Sequence, residues 1–544
     1  MQNVKYKVQN AKWRMFLSLC TLHFALCTLY SPVFAAEPFR VCDLRVDGEV
    51  GDVVAKDLDG DGLEDLIVLH TKGRRGREER WLSVFCQTAE GFPPAPQRAF
   101  RVDPRAVVFD VGDALPAPGL EIAFLARDGL YAYAVGTPPH SPSHAPRAGE
   151  GSGEEESPQK ILDLPSIFQV PSPAQLPRFG FLIDLDGDGA VLVPQVDGCV
   201  LYARMRDGHL RPLGAVEMGT ISRVRGFAAG RESVGFGASA GLNTPKLLTL
   251  DFNGDRRTDL LAVYPDSLCA FLRRPDGGFS GPPGQVIDLR FDRVATGSET
   301  MRDAPDDDRD ERATLTKVAD LNGDGVVDLM ALRVSRKGGV FSAETRVEVY
   351  YGRRTGDRTT FSGSPDQVLK GGGAQVLTDV VDFNGDGRLD LFVPAVRFGL
   401  TQMIQMLITK SVDVEANIYL MGQDGRYPAS PSSRRNFTVR FDFKGNQEQP
   451  VYEVADLNGD GRPDILTSED TAELAGYYGD PARLFGRRPD LRFGVKVPRN
   501  GERVRTMQLN ADRRADAVIT YERQDQEEGE NLRGLVRVLL SNAP

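Results

Sequence analysis

Four carboxylates stand at positions 1, 3, 5 and 9 of the stretch Asp57-Leu58-Asp59-Gly60-Asp61-Gly62-Leu63-Glu64-Asp65. Held in one tight loop they would repel one another unless a cation sat among them. Hard oxygen donors at this density suit Ca²⁺, which takes six to eight oxygens at about 2.3–2.6 Å. Gly60 and Gly62 let the backbone curl through positive φ at little cost. The pattern recurs from Asp251 (Asn253, Asp255, Asp259), Asp320 (Asn322, Asp324, Asp328), Asp382 (Asn384, Asp386, Asp390) and Asp456 (Asn458, Asp460, Asp464). Five full copies make the repeat the first property to explain.

The flanks say what each loop connects. Alternating runs such as Val451–Ala455 precede it, and short apolar runs such as Asp65–Leu69, Asp259–Val263, Asp328–Leu332 and Asp390–Val393 follow. These are strand-length and lack helical spacing, so the loop joins two strands. An EF-hand is excluded, because position 12 is Val68, Ala331, Val393 or Thr467 rather than Glu, and the flanks are not helices. A third run (Trp81–Phe85, Val347–Tyr351, Leu535–Leu540) and a fourth (Gln285–Phe291) complete each period. Four antiparallel strands per period is the content of a propeller blade.

Three worn copies start at Asp110, Asp184 and Gln508, so first positions fall at 57, 110, 184, 251, 320, 382, 456 and 508. The expected fold is an all-β, eight-bladed β-propeller, with calcium-binding loops between first and second strands; seven blades is the alternative. The last period stops after its third strand, and the spare run Phe39–Leu44 is placed to supply the fourth and close the ring. Residues 36–544 are read as this single domain. A Pro-, Ser- and Glu-rich stretch over 137–159 is expected to be a disordered loop. Ser298–Arg312 reads as a charged loop, and Leu400–Ile408 has the spacing of a short amphipathic helix. The basic segment Thr71–Arg80 and the acidic segment Glu522–Glu530 read as loops on the face opposite the acidic loops, free for a partner or paired with each other.

The chain has 544 residues, a net charge of −11 and five histidines. That acidity argues against nucleic-acid binding, and the few histidines against a His-based catalytic or metal site. Residues 1–35, basic through Arg14 and then apolar to Tyr30, read as a signal peptide ending at Val33-Phe34-Ala35. The expected location is secreted, periplasmic or cell-surface, with no transmembrane segment beyond the signal. Cys42, Cys86, Cys199 and Cys269 would then remain, either as two disulfides or as four buried thiols.

With its five D-x-[DN]-G-D-x-x-x-D loops, each followed by an apolar strand, the chain resembles the FG-GAP/VCBS repeat family, the propeller repeat of integrin α-subunits and of many bacterial secreted proteins. The resemblance implies side-chain ligands at Asp57, Asp59, Asp61 and Asp65, completed by the Leu63 carbonyl. Carried to the other full copies, it implies the side chains of Asp251, Asn253, Asp255 and Asp259; Asp320, Asn322, Asp324 and Asp328; Asp382, Asn384, Asp386 and Asp390; and Asp456, Asn458, Asp460 and Asp464. The carbonyls of Arg257, Val326, Arg388 and Arg462 would complete these four sites. About five structural Ca²⁺ ions are thus expected. The family's roles vary, so function is read as an exported, monomeric binding or scaffold module of adhesion type, with a protein or glycan partner. The alternative is a calcium-dependent carbohydrate-active enzyme such as a polysaccharide lyase. No separate catalytic constellation stands out, which weighs against an enzyme.

Overall fold

The computed structural model describes residues 38–542, apart from 75–76, 116–118, 136–156, 173–174, 186–187, 206–208, 220, 229–235, 296–310, 336–343, 371–373, 376–378, 397–410, 441–449, 469, 481–483 and 528. The signal segment, the core of the 137–159 stretch, most of 298–312 and the 400–408 segment lie outside the described residues. Gln159 opens a strand, as does Glu311.

Eight antiparallel sheets follow one another along the chain, and each is a blade. In blade one the strands are Glu49–Lys56, Asp65–Arg74, Arg77–Phe85 and Arg98–Arg101, paired in that order. Blade eight takes Val504–Met507, Asp516–Thr520 and Leu535–Ser541 from the end of the chain and Phe39–Arg45 from its beginning. Phe39 lies opposite Ser541 and Arg45 opposite Leu535, so the expected closure of the ring is observed. The count is eight, not seven.

The second strand of a blade is sandwiched inside its sheet and covered by neighbouring blades on both faces. A continuous apolar run serves there better than alternation. Asp259–Val263, Asp464–Ser468 and Glu121–Ala126 are accordingly buried at every position. The buried apolar residues form eight clusters, each spanning an interface between consecutive blades. One cluster joins Leu44, Leu66 and Phe85 to Val518 and Val536 across the seam between blades one and eight.

Several departures from the sequence expectation have local causes. Among the described residues three additional hairpins occur: Ile221–Ala228 with Phe236–Asn243 follows blade three, Arg353–Thr355 with Arg358–Thr360 interrupts blade five, and Gly479–Asp480 with Leu484–Phe485 interrupts blade seven. Thr71–Arg80 is not a loop: the second and third strands of blade one run on to Arg74 and Arg77. Arg80 is buried and donates to the carbonyls of Ala106 (2.7 Å), Asp103 and Pro104 (both 3.1 Å), tying the connection between blades one and two. Deleting 71–80 would therefore remove a structural clamp as well as exposed charge. Three acids of Glu522–Glu530 have partners away from that hairpin. Glu527 and Glu530 hold Lys496 at 2.7 and 3.0 Å, and Glu522 holds Arg503 at 2.7 Å. Among the described residues Cys42, Cys86, Cys199 and Cys269 are free thiols, the first three of them buried.

His70 fills the interior of the same hairpin. Its Nδ1 lies 3.0 Å from the Asp47 carbonyl and its Nε2 2.9 Å from the Ser83 hydroxyl. A carbonyl only accepts, so Nδ1 carries a proton. Burial, with Lys72 nearby, pushes its pKa down to about 4 from 6.5, against the opposing pull of Asp47. A depressed histidine pKa gives stability that is complete above pH 6.5 and is lost as pH falls toward 4. Between pH 7 and 4.5 the loss should be about 2 kcal/mol. Urea unfolding of wild type and His70→Gln at the two pH values checks this; equal acid sensitivity in the two proteins would refute it.

Candidate metal centre

The loops between first and second strands share one architecture. The position-1 carboxylate accepts the N–H of position 4: Gly60 and Gly254 at 2.7 Å, Gly323 at 2.8 Å, Gly385 at 2.7 Å and Gly459 at 2.6 Å. It also accepts the N–H of position 6, at 3.0 Å from Gly62 and 2.8 Å from Arg256. Both positions need positive φ (79° at Gly60, 88° at Gly62), and Arg256 adopts 68° without being glycine. An L-residue there carries about 1 kcal/mol of strain, accepted to keep the loop closed.

In blade one, carboxylate oxygens of Asp57, Asp59 and Asp61 lie within 4.8 Å of one another. Oxygen donors converging this closely fit a hard divalent cation such as Ca²⁺. In blades four, five, six and seven an Asn side chain replaces the middle acid and donates to position 5, as Asn253 does to Asp255 at 2.9 Å and Asn384 to Asp386 at 3.0 Å. Where position 7 is Arg, its guanidinium turns back onto the same carboxylate, Arg257 to Asp255, Arg388 to Asp386 and Arg462 to Asp460. These three loops carry a built-in counter-charge that the Leu63 and Val326 loops lack.

The ninth acid has a role that its spacing alone does not reveal. Asp65 is 1 % exposed; it accepts the Leu58 N–H at 3.1 Å and the Gln87 N–H, from the end of the third strand, at 2.8 Å. Asp259, Asp328, Asp390 and Asp464 repeat this, taking the N–H of position 2 on one oxygen and that of Arg273, Gly352, Met421 or Gly479 on the other. Each locks loop, second strand and third strand together. Burial pushes their pKa values up, to about 6 for Asp65, Asp259, Asp390 and Asp464 and about 7 for Asp328, despite those hydrogen bonds. The ionised forms are thus costly at neutral pH, and a nearby cation would relieve them.

This strut corrects the reading of the worn copies. In blade two Glu121 accepts the N–H groups of Ala114 and Leu115 at 2.8 and 3.0 Å, so the loop begins at Asp113, not Asp110. Asp110 lies within the first strand, and its carboxylate accepts Phe181 and Leu182 N–H from blade three. In blade three the strand pairing runs on until Leu185 lies opposite Asp188, whereas in blade one an eight-residue loop, 57–64, separates the two strands. Blade eight keeps the strut at Asp516, and the Ser541 hydroxyl lies 2.7 Å from Asp512 and 3.0 Å from Asp516.

Sequence reasoning missed two further features. Position 2 is a buried apolar plug: Leu58, Phe252, Leu321, Phe383, Leu457 and Leu509 are all 5 % exposed or less. The signal was present, an apolar residue between acids in every copy. Neighbouring loops are also joined by backbone hydrogen bonds. Position 8 donates to position 2 of the preceding blade from Leu389 to Leu321 (2.9 Å), Glu64 to Leu509 (2.9 Å) and Leu120 to Leu58 (3.4 Å), and Ala515 donates to the Asp456 carbonyl (2.6 Å). The acidic loops thus form linked stretches of a collar on one face of the ring.

Fold and loops together define an eight-bladed propeller built from acidic-loop repeats. The chain carries an FG-GAP-like repeat: residues 320–393 match that family's model, from the first residue of the blade-five loop into the second strand of blade six. No curated protein matches the sequence. Among solved structures, the WD40 domain of SCAP from fission yeast is similar over 82% of this chain and 96% of that domain, at 9% identity and a TM-score of 0.24. At that score the likeness adds nothing to the blade count read from the strands.

Proposed function

We propose that this protein is an exported propeller, stabilised by several structural Ca²⁺ ions, that serves as a binding or scaffold module for a protein or glycan partner. The observation that carries the calcium reading is the convergence of Asp57, Asp59 and Asp61 oxygens within 4.8 Å, in a loop whose backbone N–H groups orient the first carboxylate. An ion there would bridge a loop that otherwise holds to the blade through its position-2 plug and its ninth acid. The apolar run Met15–Tyr30 after a basic start supports export. A binding role is supported by the repeat class and by the rigid ring, which holds connecting loops at fixed positions on both faces.

An ion bound only by the folded state adds about 2.7 kcal/mol at one hundred times its Kd. Several such ions should separate the melting points with calcium and with chelator by about 10 °C or more. Metal analysis of the purified chain and scanning calorimetry in the two conditions test this. A melting point unmoved by chelator would remove calcium from the proposal.

A further inference from the structure

We infer that a cavity of about 710 Å³ between blades four and five is a binding site for an organic anion with a flat apolar ring. The interfaces between blades carry apolar clusters, and the inner part of this one does too, with Leu261, Val263, Leu289 and Leu329 in contact. Further out, the face of blade five turns charged. Arg333 lies opposite Arg346 across two paired strands, and Lys370 lies opposite Arg346 on the next. Side chains of paired residues point to the same side of a sheet, so these three cations share the face turned toward blade four.

Glu348, 3 % exposed, sits at the centre. It accepts Arg333 Nε and Nη2 at 2.7 and 3.0 Å, Arg346 Nε at 3.0 Å and the Tyr350 hydroxyl at 3.1 Å. An interface serving only stability gains little from buried charge, since apolar residues of the same volume do as well or better. What the network does is fix two guanidiniums and one phenol beside a cavity of ligand size, with few convergent polar groups, as binding sites have.

The occupant follows from what is left unmatched. Arg290 and Lys370 line the cavity, are exposed, and have no acidic partner among the described residues. The lining holds four cations (Arg290, Arg333, Arg346, Lys370) against two acids (Asp288, Glu348), and Glu311 holds Arg346 from outside it at 2.9 Å, which leaves one positive charge in surplus to favour an anion. Phe291 and Tyr350 meet edge to face at 5.8 Å and, with the half-buried Phe361, supply an aromatic wall. An aryl acid, or an acidic sugar unit stacking its C–H face, offers the same pairing of anion and flat apolar body. The site does not rest on the calcium reading.

The test uses the full chain and the fluorescent anion 8-anilinonaphthalene-1-sulfonate. Saturable binding is expected, weakened about tenfold or more in the double variant Arg290→Gln/Lys370→Gln. The variant Arg127→Gln/Arg487→Gln, with the same change in net charge on blades two and seven, should bind as wild type. Displacement by 1-naphthoate would assign the site to aryl acids, and displacement by trigalacturonate to acidic sugars. Equal binding by both double variants, displacement by neutral 1-naphthol as readily as by 1-naphthoate, or displacement by neither acid would overturn the proposal.

Discussion

A chain beginning at Val46, without Phe39–Arg45, is expected to lose the cooperative melting of the full propeller and to aggregate. The strand pairs along seven positions with Leu535–Ser541. It buries Phe39 at 2 %, Leu44 at 0 % and Cys42 at 9 % exposure. Each fully buried large side chain contributes about 1.5–3 kcal/mol. The Arg537 guanidinium adds a two-pronged ion pair to Asp43, both contacts at 2.7 Å. The total approaches the whole stability of a typical domain, about 5–15 kcal/mol. Removal also uncovers the edge of Leu535–Ser541, a template for pairing with another chain. Calorimetry and gel filtration of the truncated chain measure both effects. Because the Asn542 N–H reaches the Pro38 carbonyl at 3.0 Å, the two ends lie side by side. Re-attaching the strand after residue 542 through a short Gly-rich turn should therefore restore melting and monomeric elution. Wild-type melting of the truncated chain would show that the ring does not depend on this seam.

The blade count was legible because each acidic loop is followed by a second strand buried on both faces, which writes an unbroken apolar run such as Asp259–Val263 into the sequence. That strand persists wherever the loop decays, so eight periods can be counted with five full loops. What stayed hidden depends on the position of hydrogen-bond donors in space. Asp65 and Asp57 are the same residue type in the same motif. Only the fold shows that Asp57 faces its own loop while Asp65 spans Leu58 and Gln87. Asp110 misled for the same reason: an acid ahead of an apolar strand looks like a first position until Glu121 is seen bonding Ala114, seven residues back. The Thr71–Arg80 segment is charged and looks like a loop. Its strands extend because Lys72 lies over Trp81, at 3.9 Å from the ring, and Arg80 is held by carbonyls.

Separating the two acids by experiment distinguishes strut from metal ligand. Asp516→Ala, in the blade whose first position is Gln508, is expected to destabilise the protein by about 2–5 kcal/mol, equally with calcium and with chelator. The loss follows from two buried N–H groups, of Leu509 and Ser541, each left without an acceptor at about 1–3 kcal/mol. Asp57→Asn should behave in the opposite way. Its hydrogen bonds to Gly60 and Gly62 lie in an exposed loop and an amide oxygen can still accept one of them. With chelator it should therefore cost no more than about 1 kcal/mol. With calcium it removes a charged oxygen from a three-carboxylate cluster that has no arginine to compensate, and about 2–3 kcal/mol of metal-linked stability should go. Blade six supplies the intermediate case. There Arg388 already pairs with Asp386, so Asp382→Asn should lose less in calcium than Asp57→Asn does. Denaturant unfolding of the three variants in both conditions gives six numbers against which the assignment stands or falls. A calcium-dependent loss in Asp516→Ala would make the ninth acid a metal ligand, and a loss in Asp57→Asn that chelator leaves unchanged would place the ions elsewhere than in these loops. If both variants behave as expected, the repeated acid does two separable jobs: the ninth position holds the blade together, and the first five positions determine how much a bound cation adds.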